Sequence, residues 1–182
     1  MKLTTVGHHP LPVPALPGHV SGWTLRPAGS APATGATVPF GAAPAGAVRT
    51  CTASSGHDGG PVVRLTIHRV LHHPLRGCYP VGAHDLLLEL DITEPRNPVT
   101  GEGRDTAGLL RSLVAALFAA DPSCRRITAA PPVEDTAARE RYAAGGFRPV
   151  AEAEVREGTV VLMVVEPAQV TTIDTALSAM PH

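Results

Sequence analysis

From Pro61 onward, stretches with apolar residues at every second position alternate with stretches whose apolar residues recur at helical spacing. That switching of period restricts the chain to an α/β fold. In VVRLTIHRVL, Val63, Leu65 and Ile67 alternate with Arg64, Thr66 and His68, which predicts a half-buried strand. After the Pro/Gly-rich connection HPLRGCYPVG, the run LLLELDI (86–92) is more continuously apolar, as expected of a central strand covered on both faces. In DTAGLLRSLVAALFAA (105–120), Leu109, Leu110, Leu113, Val114, Leu117 and Phe118 form one broad helical stripe, with Asp105 placed to cap it and Asp121-Pro122 to end it. RRITAA (125–130) then reads as a short strand, and DTAARERYAAGG (135–146) as a helix capped by Asp135 and stopped at Gly145 or Gly146. FRPVAEAEV (147–155) and TVVLMVVE (159–166) complete the order as an antiparallel hairpin.

Residues 1–61 have a different texture, holding nine of the 19 prolines and ten of the 18 glycines, which rules out long helices there. Two runs within it, 20–27 and 47–53, suit short strands, and the segments between them read as loops. The expected organisation is a Pro/Gly-rich arm over 1–61, one α/β domain over 62–166 and a C-terminal tail over 167–182. A net charge of -1, from 15 basic and 16 acidic side chains, gives no reason to expect nucleic acid or an anionic membrane as partner. No apolar run is long enough to span a bilayer and the start lacks a signal-peptide core, so a cytoplasmic protein is expected. Cys51, Cys78 and Cys124 lack C-x-x-C spacing and read as free thiols. High Ala, Gly and Pro with little Lys suggests a GC-rich bacterial source.

The motifs PPVEDTAARERYAAGGFRPVAEAEV with VVLMVVE, YPVGAHDLLLELDI, and GLLRSLVAALF occur in that element order. Over residues 62–166 the chain resembles the GNAT N-acyltransferases, most closely their siderophore-biosynthesis, aerobactin-type branch. The resemblance implies a mixed sheet flanked by helices, whose central strand and its neighbour splay apart around the pantetheine arm of acetyl-CoA or another acyl-CoA, bound as substrate. It implies no metal. It also implies an acceptor that is a primary amine or hydroxylamine of a small metabolite, lysine- or ornithine-like; the sequence leaves monomer and homodimer both open. Leu90, Asp91 and Ile92 of the central strand, Gly101, Gly103, Arg104 and Thr106 of GEGRDTAGLL, and Asp135 fall at the family's acyl-CoA contacts. There the pyrophosphate sits on backbone N–H groups of a glycine loop at a helix N-terminus. Arg104 and Thr106 stand where the family has glycine, and Asp135 where it has Asn. The family's acceptor pocket is walled by two N-terminal helices, whereas this chain has the arm with Trp23 in an expected strand.

Glu89, Tyr142 and His84 are the candidate catalytic residues. Glu89 stands where the siderophore branch has a histidine and is expected to act as base, its pKa raised in a partly apolar cleft. Tyr142 falls where many relatives protonate the departing CoA sulfur. The same cleft also admits CoA-independent chemistry on a small molecule, or a non-catalytic binding role. Of the other candidates, His68 and His72 have metal-ligand spacing only on a helix, which the alternation contradicts, so the histidines His8, His9, His68, His72 and His73 read as surface or loop residues. Cys78 with His84 lacks the surroundings of a nucleophile pair. Arg125 and Arg126 read as solvated charges, or as cations near a CoA phosphate.

Overall fold

A computed structural model of the chain describes residues 11–28, 44–55, 61–93 and 106–167. In chain order the elements are β1 (His19–Val20), β2 (Trp23–Pro27), β3 (Val48–Ser55), β4 (Val62–Arg69), β5 (Leu86–Thr93), α1 (Thr106–Ala120), β6 (Ile127–Ala129), α2 (Thr136–Ala144), β7 (Arg148–Val155) and β8 (Gly158–Val165). The eight strands form one mixed sheet in the order β1-β2-β3-β4-β5-β6-β8-β7. Within this sheet β5 and β6 are parallel and the remaining neighbours antiparallel. The expected strand over 20–27 is in fact a hairpin, because Ser21 and Gly22 both take left-handed backbone angles (φ 43° and 78°) and reverse the chain between β1 and β2.

The period-two pattern of β4 sorts its side chains as read. Val63, Leu65 and Ile67 are fully buried, and Arg64, Thr66 and His68 face the other way. Onto the Leu65/Ile67 face pack Leu109, Leu110, Leu113, Val114 and Leu117 of α1, Tyr142 of α2, and Trp23 and Leu25 of β2. Each such leucine contributes about 1.5–3 kcal/mol by leaving water. The two helices meet closely at Gly145, where a Cβ would come within 2.8 Å of Leu110 Cβ, so glycine is needed for contact rather than for its backbone angles. The opposite face has a smaller cover. Two short 3-10 turns, Val70–His72 and Pro74–Gly77, lay Val70 and Leu75 over Leu87 and Leu162.

β5 departs from the expected strand buried on both sides. Only Leu86, Leu87 and Leu88 are buried throughout; from Glu89 on, exposed Glu89, Asp91 and Thr93 alternate with half-buried Leu90 and Ile92. The reason is that the 3-10 turns cover only the start of the strand. Residues 11–28 and 44–55 extend the same sheet and core by three strands, with Val13, Trp23, Cys51 and Ala53 buried. No helix among the described residues is long and apolar enough to cross a membrane. The expected cap Asp105, the segment 29–43 and the tail 168–182 lie outside the described residues.

Candidate active site

The site is built where β5 loses its neighbour. β5 and β6 pair at two positions only, Leu86 with Ile127 and Leu87 with Thr128. Beyond them β6 ends at Ala129 and the chain turns into Pro131-Pro132, whereas β5 runs on to Thr93 with β4 along its other edge. Residues 88–93 therefore present one edge without a strand partner among the described residues, including Leu90, Asp91 and Ile92. Unpaired backbone N–H and C=O groups on such an edge can accept an extended amide-bearing chain as an added strand.

Tyr142 reaches this point from α2. Its spacing on the helix buries the ring edge-to-face against Phe147, at 5.3 Å, and its hydroxyl donates to the Leu88 carbonyl at 3.2 Å. Burial, and then the charge of Glu89, pushes the Tyr142 phenol well above its ordinary value. On the other face of the sheet, Thr128 lies on the same side as Leu87, and its buried hydroxyl has no hydrogen-bond partner among the described residues. Nothing in the sequence marked Thr128.

Glu89 lies on the face away from the helices, with half of its side chain exposed. The β4–β5 register brings His68 to it, Nε2 to Oε2 at 3.2 Å, and the turn after β4 brings His73, Nε2 to Oε1 at 3.7 Å. The two imidazoles meet edge-on, 5.0 Å apart. Partial burial pushes the Glu89 carboxyl up, but the hydrogen bonds and charges of His68 and His73 outweigh this and hold it at about 2, against an ordinary 4.5. The expected raised pKa is thus reversed, and Glu89 is an anion at any physiological pH. Sequence reading missed His68 and His73 as site residues; the signal was the alternation itself, which puts His68 on the same face of the sheet as Glu89.

By composition this trio, whose donor atoms all lie within 4.8 Å of one another, suits a transition metal. The hydrogen bonding opposes that. His73 caps the second 3-10 turn, its Nδ1 accepting the Leu75 N–H at 3.3 Å, which puts the neutral ring's proton on Nε2, the atom a metal would need.

His84 is not part of this arrangement. Its Nδ1 lies 3.1 Å from Asp121, which also pairs with buried Arg69 at 2.9 Å; Arg69 in turn donates to the carbonyls of His84 and Pro12. Asp121 follows the C-terminal end of α1, about 22 Å of helix from Thr106, and His84 precedes the buried start of β5. Asp135 acts as the N-cap of α2, accepting the Ala138 N–H at 2.8 Å. Arg126 is engaged by Glu166 at 2.8 Å and stacks over Tyr79, so it is not the free cation weighed for a phosphate. Thr106 is the first residue of α1, and Gly101, Gly103 and Arg104 lie outside the described residues.

A family model described as the acetyltransferase (GNAT) domain matches residues 55–155. The chain belongs to the GNAT acetyltransferase family. The GNAT match begins at the last residue of β3, so β1, β2 and nearly all of β3 precede it. No curated protein matches the chain significantly. Solved structures share the GNAT fold. An uncharacterized protein from Bacillus halodurans is similar at 22% identity and TM-score 0.56, covering 66% of this chain and 59% of that one. The aminoglycoside acetyltransferase AAC(6')-Ib, solved with paromomycin and acetyl-CoA, is similar at 18% identity and TM-score 0.56, covering 71% and 70%. The same enzyme with coenzyme A and kanamycin gives 20% identity and TM-score 0.54, covering 66% and 67%.

Proposed function

We propose that the protein transfers an acetyl or related short acyl group from CoA to a primary amine or hydroxylamine of a small metabolite, lysine- or ornithine-like, as in siderophore or secondary metabolism. The observation that carries this reading is the parting of β5 from β6 after two residue pairs, with a buried tyrosine hydroxyl at the fork and a carboxylate with two imidazoles on the open face.

The pantetheine amides would pair with the free edge of β5 at Leu90, Asp91 and Ile92. The pyrophosphate would lie at the start of α1, near Thr106 and the Gly101–Gly103–Arg104 stretch, where orphan N–H groups and the helix dipole favour negative charge. Asp135 acts there through the placement of α2. The thioester carbon then sits beside Leu88. Attack by the amine forms the C–N bond, the C–S bond breaks, and the Tyr142 hydroxyl is positioned to donate a hydrogen bond to the departing sulfur. The acceptor approaches over the open face, where the Glu89–His68–His73 cluster is placed to take up its proton and the Glu89 carboxylate attracts a cationic substrate.

Calorimetric titration of the full chain with acetyl-CoA, followed by thiol-release assays with ornithine, lysine, N-hydroxylysine and kanamycin, tests this. Micromolar binding and turnover with one amine are expected. A chain that binds no acetyl-CoA, but gains binding when Arg104 and Thr106 are replaced by glycine, would instead favour CoA-independent chemistry or a binding role.

A further inference from the structure

The acyl-transfer reading leaves open which atom takes the amine's proton, and the trio around Glu89 contains enough geometry to choose. His73 is fixed first. A ring nitrogen that accepts a backbone N–H carries no proton, so with Nδ1 accepting from Leu75 the neutral ring holds its proton on Nε2, facing Glu89 Oε1. At that atom His73 is a donor and has no lone pair to offer.

His68 is under no such constraint. Its Nε2 lies 3.2 Å from Glu89 Oε2, and its Nδ1 has no hydrogen-bond partner among the described residues. An anionic carboxylate can only accept, so the neutral His68 ring places its proton on Nε2 and leaves the Nδ1 lone pair open. A carboxylate hydrogen-bonded to one nitrogen of an imidazole fixes its tautomer and stabilises the imidazolium that forms when the other nitrogen takes a proton. The carboxylate itself, receiving the His68 N–H at 3.2 Å with the His73 Nε2 at 3.7 Å, is poorly basic. His68 is mostly covered, with 17% of its side chain exposed, and its ring is held edge-on against His73, so its orientation is set by packing.

We propose that His68 Nδ1, and not the Glu89 carboxylate, removes the proton from the attacking amine, directly or through one water, and that Glu89 and His73 are positioning residues. This rests on the acyl-transfer reading. As the amine nitrogen bonds to the thioester carbon, its proton passes to His68 Nδ1. The electron pair of the broken C–S bond stays on sulfur, which takes a proton from solvent, and the imidazolium returns the amine's proton to solvent. The products are the amide and free CoA thiol, with no other reactant.

Nitrogen NMR of the labelled full chain, free of any histidine tag, reads the geometry without turnover. His68 and His73 should both carry their neutral proton on Nε2, and Glu89→Gln should shift the His68 tautomer balance toward Nδ1. In acetyl transfer from acetyl-CoA to whichever of ornithine, lysine or kanamycin is turned over, His68→Gln and His68→Ala should lower kcat about 100-fold with an unchanged acetyl-CoA dissociation constant. Imidazole in the buffer should restore part of the His68→Ala loss, which no purely structural role would allow. A His68 proton found on Nδ1 in the unmodified protein, or a His68→Gln variant with normal kcat, overturns this inference alone. Absence of acetyl-CoA binding by the unmodified, folded protein overturns the acyl-transfer reading and this inference with it.

Discussion

β5 has two ends that a composition count would not distinguish. At its start, Leu86, Leu87 and Leu88 are buried on both faces, and the nearby ionisable groups satisfy one another: Arg69 with Asp121, Asp121 with His84. Past Leu88 the same strand has lost β6 and its second cover, and its ionisable group, Glu89, is half exposed with two imidazoles around it. The first end locks its charges into pairs, and the second keeps a strand edge without a strand partner and an imidazole nitrogen without a hydrogen-bond partner among the described residues. Structure is concentrated in the first and chemistry in the second.

The sharpest way to break this contrast is to remove a charge at the structural end. Asp121→Asn leaves the Arg69 guanidinium buried without its counter-ion and should cost about 3–5 kcal/mol, read by denaturant unfolding. Hydrogen bonds and charge from His84 and Arg69, acting against burial, hold the Asp121 carboxyl below its ordinary value. Those of Arg126 and Arg148 do the same for Glu166. A depressed folded pKa means stability that is present above the ordinary carboxylate range, near about 4, and lost as pH falls through the lower folded value. Acid unfolding should therefore set in below about pH 4, and Asp121→Asn should flatten that acid limb more than Glu89→Gln, whose half-exposed pair solvent screens.

At the other end the effects invert. Glu89→Gln should lower kcat about 100-fold while changing stability by less than about 1 kcal/mol. Equal losses of stability in the Glu89 and Asp121 variants would erase the distinction. Tyr142→Phe removes the hydroxyl that meets Leu88 and should cost about 1 kcal/mol of stability, with kcat reduced about tenfold. Smallest of all, Thr128→Val replaces a buried hydroxyl without a partner among the described residues; stability should hold or rise by up to about 1 kcal/mol, read by denaturant unfolding. A Thr128→Val protein that is clearly less stable would show that the hydroxyl is already satisfied.

Much of the fold was legible because its signals are local. Val63, Leu65 and Ile67 alternate and are the buried face of β4. The stripe from Leu109 to Leu117 is the buried face of α1, and Asp135 with Gly145 bounds α2 within a residue of expectation. The Gly146-Phe147 word and the first strand of the hairpin, which resembled GNAT acyltransferases, lie within the family match. Strand propensity over 20–27 and 47–53 was readable too, but not that these strands would pair onwards to β4, since pairing partners are chosen by contacts far apart in the chain.

The sequence by itself determined the order of elements from β4 to β8, the buried faces of β4 and α1, and that Glu89 and Tyr142 would come from the central strand and the second helix. Only the tertiary structure decided what those two residues are worth chemically. Glu89 was expected to be raised in pKa by a partly apolar cleft; the β4–β5 register and the turn after β4 place His68 and His73 against it and reverse the sign. His84 was grouped with it as a residue of the same expected cleft, yet the C-terminal end of α1 delivers Asp121 to His84 and takes it out of the site. Burial follows from patterns of nearby residues, but a proton's affinity depends on charges within a few ångströms, and those charges come from segments that only the folded sheet brings together.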